Sequence, residues 1–353
     1  MVWATVHRCR DGPSAFPSHF GSSDSSLGKI QEFKSKTLYA VVLKQNQLQG
    51  PIPKSLLDQQ GLNYLILSQN NLSEQIASTV CNLKTLRVLD LGSNHLNGTI
   101  PHCLGEMSEL QVLGLNNDSL SGTINTTFST GNKLTIINLY GNKLKGQVPP
   151  SLINCRYLEF LDLGNNELNG TFPSWLGGLS DLKRSNKLPS PISDSRTDNL
   201  FVKIQNSGTR EYVVDKFSSY ISLIVATKGL DLELPRVLTT YMIIDLSRNI
   251  FECYLPSIIG DLVGLRTLNL SHNCLEGGDI VQQHVSLKSL EVLNLSHNHL
   301  VGCIPKGKQF DTFENSSYQG NDGLRGLPLS KDCSGNDGVP QMTTPVGLDD
   351  DEE

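Results

Sequence analysis

The chain has 353 residues, and only 38% are hydrophobic and 6% aromatic, which predicts a thin core spread over one or two domains. Its formal net charge of −6 comes mostly from the acidic run at 349–353, so a basic nucleic-acid-binding surface is excluded. Its eight cysteines contain no Cys-x-x-Cys pair, which argues against a zinc site. The best apolar run, Ile221 to Ala226, is far too short to span a membrane.

Residues 1–37 contain no apolar stretch of the kind that forms a secretory signal, and we expect them to be an irregular leader, with 1–30 outside the repeat fold. From Leu38 onwards, leucines recur every 24 residues at 38, 62, 86, 110, 134 and 158. Each heads the pattern L-x-x-L-x-L-x-x-N-x-L-x-G-x-I-P. Six consecutive matches at one spacing predict a repeat architecture.

The L-x-L segment of each unit has the period of a short strand whose leucines point inward. One unit alone buries almost nothing, so the units must stack. The predicted fold is therefore an α/β repeat, a right-handed curved solenoid with a parallel concave sheet, interrupted by an island. A repeated asparagine follows each strand, where its amide can bond the backbone of adjoining turns; its positions are Asn46, Asn70, Asn94, Asn142, Asn166, Asn249, Asn273 and Asn298.

Several units depart from the pattern. Glu74 and Cys253 replace the bend glycine in units 2 and 8, and Asp118 replaces the asparagine in unit 4. Unit 7 should run on from Leu182, but Asn186 arrives four residues later where eight are required. We therefore expect no proper strand in unit 7.

The repeats divide the chain into six segments. We expect a leader at 1–37, repeats 1–7 at 38–182 with the seventh incomplete, and an island at 183–240. Repeats 8–10 follow at 241–305, a C-terminal cap at 306–338 and an acidic tail at 339–353. The first unit has no recognisable cap, so Leu38, Val41 and Leu43 are expected to fray unless residues 20–37 cover them.

The 24-residue unit with its G-x-I-P turn is similar to plant extracellular leucine-rich repeats. The stretches at 229–236, 244–249, 294–300 and 306–315 resemble the Cf-type disease-resistance receptor-like proteins. The resemblance implies a kinase-less immune receptor on the extracellular face of the plasma membrane, which binds a protein or peptide ligand and associates with a co-receptor kinase. The chain corresponds to the middle and late part of such an ectodomain, and we interpret it as a truncated form.

In such solenoids the ligand-facing positions are the variable residues around L-x-L, which project from the concave sheet. The aromatic members favour an interface, whereas a simple solvated sheet face is the alternative. The candidates in the first six units are Tyr39, Lys44, Tyr64, Gln69, Arg87, Asp90, Asn116, Asn117, Tyr140, Glu159, Phe160 and Asp162.

Eight Asn-x-Ser/Thr sequons favour a secretory history. Asn269 and Asn294 lie between strand leucines and would place a glycan on the concave face. The candidate sites are Asn71, Asn97, Asn117, Asn125, Asn169, Asn269, Asn294 and Asn315.

Plant caps of this type usually carry a cysteine pair, but Arg325 follows Leu324 where the first cysteine would stand. The resemblance therefore implies a pair between Cys303 and Cys333, with two free thiols as the alternative.

No enzyme, cofactor or metal site is expected, because His272, His297 and His299 lie at repeated turn positions without a carboxylate or cysteine array. Two other functions stay open. One is a soluble inhibitor or decoy, similar to extracellular polygalacturonase-inhibiting proteins. The other is a non-functional gene fragment.

Overall fold

The computed structural model of the protein describes residues 28–33, 38–124, 127–179, 242–277, 287–306, 310–329 and 333, and the backbone of three further strands. Most of the expected island, unit 7, the acidic tail and the sequon at Asn125 lie outside these residues. The strands in chain order are β1 (Thr5–Arg8), β2 (Leu38–Val42), β3 (Gln49–Gly50), β4 (Tyr64–Ile66), β5 (Asn71–Gln75), β6 (Val88–Asp90), β7 (His95–Gly98), β8 (Val112–Gly114), β9 (Ser119–Gly122), β10 (Ile136–Asn138), β11 (Lys143–Gly146), β12 (Phe160–Asp162), β13 (Glu167–Thr171), β14 (Leu223–Thr227), β15 (Leu230–Leu234), β16 (Met242–Asp245), β17 (Ile250–Cys253), β18 (Leu265–Asn269), β19 (Cys274–Leu275), β20 (Val292–Asn294), β21 (Val301–Cys303) and β22 (Gly323–Arg325).

Each repeat unit contributes one strand to each of two sheets. The concave sheet has the order β1-β2-β4-β6-β8-β10-β12-β16-β18-β20 in the described residues, and all its neighbours are parallel except β1 and β2. A second sheet beside it has the order β3-β5-β7-β9-β11-β13-β17-β19. The predicted solenoid with a parallel concave sheet is confirmed.

Short helices return the chain along the convex side after the turns of units 1, 2, 3, 5, 6 and 8. Pro53, Pro149 and Pro256 precede three of these helices in extended backbone, and Ala77 holds the equivalent place before a fourth. Proline has no N–H to donate to a continuing strand. The helices are the α-helix α1 (Lys54–Leu57) and the 3-10 helices Ser78–Asn82, His102–Glu106, Pro150–Asn154, Ser174–Gly178 and Ser257–Asp261, with Phe310–Thr312 and Asn315–Ser317 in the C-terminal cap.

The leucines of the pattern form one continuous core. In unit 3, Leu86, Leu89, Leu91 and Leu96 are all buried, and the equivalent side chains of the other units stack on them in a cluster that reaches the cap. Burying a leucine side chain stabilises the fold by about 1.5 to 3 kcal/mol. A thin core suffices because each unit shares its apolar surface with two neighbours.

The repeated asparagines form a hydrogen-bonded ladder, as the sequence predicted. Asn70 donates from Nδ2 to the carbonyls of Leu43 and Leu67 at 2.9 Å, and its Oδ1 accepts the N–H of Leu48 at 3.1 Å. Asn321, which the sequence pattern missed, extends the ladder into the cap, since its Nδ2 donates to the Leu295 carbonyl at 2.9 Å. Each rung therefore ties one unit to the preceding one.

The island interrupts the sequence but not the concave sheet. Unit 6 pairs directly with unit 8, with Phe160 opposite Ile243 and Asp162 opposite Asp245. We call this junction between units 6 and 8 the seam. The asparagine ladder also crosses it, because Asn249 donates to the Leu163 carbonyl at 3.0 Å. The first unit of the second array therefore occupies the place that unit 7 would have taken.

The leader was expected to lie outside the repeat fold, and this expectation is wrong for the parts that the structure describes. β1 pairs antiparallel with β2 and covers the open edge of the first unit. Ile30 and Phe33 pack against the core from residues 28–33. Leu38, Val41 and Leu43 are consequently buried rather than facing water.

Candidate functional site

The concave face is built from the two strand residues that flank the second inward leucine of each unit. In unit 3 these are Val88 and Asp90, on either side of Leu89. Because the strands pair in register, each of these residues has its equivalent on the next strand as a neighbour, about 4.8 Å away. Side chains therefore line up in columns across the units.

The structure divides the twelve ligand-facing candidates into two groups. Eight are partly exposed, which suits a contact surface: Tyr39, Lys44, Gln69, Arg87, Asn116, Asn117, Tyr140 and Glu159. Four were expected to project into solvent but are buried: Tyr64, Asp90, Phe160 and Asp162. Close stacking explains part of this burial, since each strand residue is flanked on both sides by the equivalent residues of the neighbouring units.

The buried aspartates have structural partners that the sequence reasoning did not foresee. Asp90 accepts a hydrogen bond from the Ser68 hydroxyl at 2.7 Å, and burial raises the pKa of its carboxyl group. Asp162 accepts the backbone N–H of Gly164 at 3.0 Å. This side chain-to-backbone turn recurs in the same column at Asn138, Asp245, Asn269 and Asn294.

Glycines on the concave face make room for polar neighbours. A Cβ at Gly114 would lie 2.9 Å from the Asp90 carboxylate, and a Cβ at Gly92 would lie 2.3 Å from the Asn116 side chain. At the seam, a Cβ at Gly164 would meet Tyr140 at 3.1 Å. Asn116 and Tyr140 therefore lie across the neighbouring strand.

An aromatic and cationic group occupies the first three units. The Tyr39 and Tyr64 rings are 5.7 Å apart between centroids and tilted by 58°. Burial, followed by the nearby Tyr39, raises the pKa of Tyr64 to about 12, although Arg87 opposes the rise. Tyr64 therefore supports the partly exposed Tyr39 and Arg87, which are the residues available for contact.

The lateral face beside the concave sheet changes character between the two arrays. In units 5 and 6 its exposed residues are polar, including Lys143, Lys145 and Glu167. In unit 8 Ile250 is 43% exposed and Tyr254 is 70% exposed, and in unit 10 Val301 is 42% exposed. We call these last three residues the late lateral patch.

The sequons differ in accessibility. The side chains of Asn71, Asn97 and Asn169 are exposed on the second sheet. Asn269 was expected to carry a glycan into the concave face, but it is buried and its Nδ2 donates to Asp245 at 2.8 Å. Asn294 is only partly buried, and its Oδ1 accepts the Ser296 hydroxyl at 2.7 Å.

Two disulfides join neighbouring segments. Cys303 bonds Cys333 with Cα atoms 5.9 Å apart, and Arg325 lies directly opposite Cys303 in the paired strands. Cys303 thus stands beside Arg325, the position where the resemblance drawn from the sequence implies a cysteine. The sequence reasoning missed the second bond, Cys81 to Cys103, whose Cα atoms are 5.7 Å apart on consecutive convex turns. Their separation of 22 residues, close to one repeat, was the available signal.

None of the helices within the described ranges is long and apolar enough to cross a membrane.

Comparison with protein families finds the Leucine Rich Repeat model at 85–107, 133–155, 157–179, 264–282 and 289–308. The chain is 54% identical over 174 residues to the receptor-like protein Cf-9 of Solanum pimpinellifolium, a match that covers 42% of this chain and 20% of that protein. The chain thus spans about a fifth of the length of the curated relatives it matches.

Two solved plant structures share the fold. The ectodomain of GASSHO1/SCHENGEN3 from Arabidopsis thaliana, in complex with CASPARIAN STRIP INTEGRITY FACTOR 2, aligns with a TM-score of 0.61 and 29% identity over 82% of this chain and 27% of that one. The Arabidopsis receptor kinase HAESA, in complex with the peptide hormone IDA and the co-receptor SERK1, aligns with a TM-score of 0.60 and 26% identity over 85% of this chain and 39% of that one.

Proposed function

Because its repeats match the Leucine Rich Repeat model and 174 of its residues are 54% identical to the receptor-like protein Cf-9, we propose that this chain is a non-catalytic, ligand-binding ectodomain segment of a Cf-type cell-surface receptor in plant defence. Its ligand is a peptide or protein, by analogy with the GASSHO1/SCHENGEN3 and HAESA complexes. A position on the outer face of the plasma membrane belongs to the same proposal.

The observation that carries the proposal is the contrast between constant and variable positions within the chain. The inward leucines and the ladder repeat from unit to unit, whereas one concave position holds Lys44, Ser68, Gly92, Asn116, Tyr140 and Gly164 in successive units. A constant scaffold that carries a varied, partly exposed surface supports recognition of one specific partner.

The test is to select peptides from a random displayed library on the whole chain, and then to measure their affinity for a Tyr140→Ala/Glu159→Ala variant. We expect at least about a tenfold loss, or 1.4 kcal/mol. The matched control, Lys143→Ala/Lys145→Ala, alters exposed residues on the second sheet and should bind normally. Equal affinity in the concave variant would contradict the proposal, and inhibition of a fungal polygalacturonase without peptide binding would favour the inhibitor alternative.

The late lateral patch is the surface that we assign to a co-receptor. Ile250, Tyr254 and Val301 are exposed apolar side chains, and aromatic and aliphatic anchors dominate interfaces. The SERK1 ectodomain is a suitable probe, since HAESA was solved with it. Tyr254→Asp should abolish a ligand-dependent pull-down, whereas the same change at the exposed Tyr157, at the end of unit 5, should not. A pull-down that survives Tyr254→Asp would contradict this assignment.

A further inference from the structure

The residue before each ladder position adopts a left-handed backbone. Its φ lies between +52° and +74° along the whole solenoid, a conformation that costs an ordinary residue about 1 to 2 kcal/mol. These residues form one column: Gln45, Gln69, Ser93, Asn117, Gly141, Asn165, Arg248, His272, His297 and Gly320. In the first array the column is neutral, and in the second it is occupied by Arg248, His272 and His297.

The two histidine rings are held in a fixed arrangement. The His272 and His297 centroids are 4.3 Å apart and the rings are within 11° of parallel. On the far side, a Cβ at Gly320 would lie 2.6 Å from Nδ1 of His297, so only glycine allows the cap to pack this closely. The His297 ring is therefore enclosed between the other ring and the backbone of the cap. Both histidines and Arg248 remain exposed.

The column accumulates positive charge as the pH falls. Burial lowers the pKa of His272, and the neighbouring His297 and Arg248 lower it further. Among the described residues, no carboxylate counteracts this lowering of the His272 pKa. Protonation of both rings therefore places three cations on consecutive units, and their mutual repulsion is relieved when an anion binds.

We propose that Arg248, His272 and His297 form a binding site for the carboxylate groups of an acidic peptide. Neighbouring units are about 4.8 Å apart, so three positions span about 10 Å, the length of an extended tripeptide. Arginine binds carboxylates through two parallel hydrogen bonds, and each imidazolium adds a charged donor. The site lies on the second array and does not depend on the ligand proposed for the first array.

Binding at this site is linked to protonation. A bound carboxylate favours the charged imidazole and raises the pKa of His272, so affinity increases as the pH falls through the histidine range. The arginine contributes at every pH. The site is thus stronger in an acidic medium than in a neutral one.

The experiment measures binding of fluorescent hexaglutamate to the whole chain at about pH 5 and about pH 7.5, at one ionic strength near 0.15 M. We expect at least about tenfold tighter binding in acid, with no binding of hexaglutamine. The double variant His272→Gln/His297→Gln should lose this pH dependence, and Arg248→Gln should weaken binding at both pH values. His299→Gln, an exposed histidine outside the column, is the matched control.

Absence of binding in acid, or a pH dependence that persists in the double variant, would overturn the proposal. A second measurement avoids reliance on variants. In the unmodified chain at about pH 6.5, hexaglutamate should shift the imidazole NMR signals of His272 and His297 towards those of the charged ring, and it should leave the signals of His299 in place. Unchanged signals for the pair would equally overturn the proposal.

Discussion

Asp118 is the weak rung of the asparagine ladder, and replacing it with asparagine should stabilise the fold in a pH-dependent way. Its Oδ1 accepts the N–H of Leu96 at 2.9 Å, just as Asn142 accepts that of Leu120 at 3.0 Å. Its Oδ2 therefore stands where asparagine has an amide donor, and this buried oxygen has no hydrogen-bond partner. Asn142 uses the same position to donate to the carbonyls of Leu115 and Leu139.

The carboxyl group responds by retaining its proton. Burial, with a smaller effect from the nearby Asp90, raises the pKa of Asp118 from 3.8 to about 8. The pKa of Asp118 is higher in the folded chain than in the unfolded chain, so its neutral carboxyl group stabilises the fold relative to the charged form. This stabilisation is fully present below about pH 3.8 and is lost as the pH rises towards 8. Each pKa unit corresponds to about 1.4 kcal/mol, so the loss between pH 4 and pH 7 is at most about 4 kcal/mol. Because local relaxation lowers the cost of a buried charge, we expect a loss of about 2 to 4 kcal/mol.

The assay is urea unfolding of the wild type and Asp118→Asn from about pH 4 to about pH 8, where the wild-type carboxyl titrates. The two proteins should be equally stable within about 1 kcal/mol in acid, and the variant should be about 2 to 4 kcal/mol more stable at neutral pH. Asp58→Asn, an exposed aspartate after α1, is the matched control and should show no such difference. A stability difference that does not change with pH would refute the reasoning.

Three further predictions follow from the same contacts. Asn321→Ala should cost about 2 to 3 kcal/mol in urea unfolding, because it leaves buried backbone groups of the last repeat unpaired. Cys81→Ser should destabilise the chain by about 3 kcal/mol, as expected for opening a loop of this length, and peptide mapping of the wild type should recover Cys81 linked to Cys103. Glycopeptide mapping of secreted protein should find a glycan at the exposed Asn169 and none at the buried Asn269; a glycan at Asn269 would contradict the observed burial.

The fold was predictable from the sequence because every unit repeats the same physical constraints. Leucines at fixed spacing require an apolar interior, and Asn70 and its equivalents need backbone partners that only stacked units supply. Asn321 escaped notice because the cap lacks the surrounding leucines. The spacing from Tyr318 to Asn321 is nevertheless that from Leu295 to Asn298, and Tyr318 is fully buried like a pattern leucine.

The candidate site was harder to predict, because exposure on a concave face depends on the neighbouring units. Tyr64 and Phe160 occupy positions that are variable by pattern, yet both are buried. Asp162 likewise stabilises a turn through Gly164. Alternation along one strand indicates which face a residue is on, but not how far the adjacent side chains cover it. Pairing between strands supplies that information.

The leader illustrates the same limit at the edge of the sheet. β1 has no repeat pattern to reveal it, yet its backbone pairs with β2 and closes the first unit. An open edge strand is a liability that proteins usually cover. The first unit was expected to fray unless residues 20–37 covered its leucines, and Ile30 and Phe33 in that segment do pack against the core.

The ladder also explains how the solenoid accommodates a long insertion. Across the seam, Leu168 donates its N–H to Asn249 Oδ1 at 3.0 Å, although 81 residues separate them. Between uninterrupted units the same bond joins residues 22 apart, as in Leu144 to Asn166 at 3.1 Å. The bond is the same because it depends only on the unit that lies adjacent, not on the path of the chain between. An insertion between two units is thus tolerated wherever the next strand and its asparagine return to the same register, and the columns of the concave face continue across the seam.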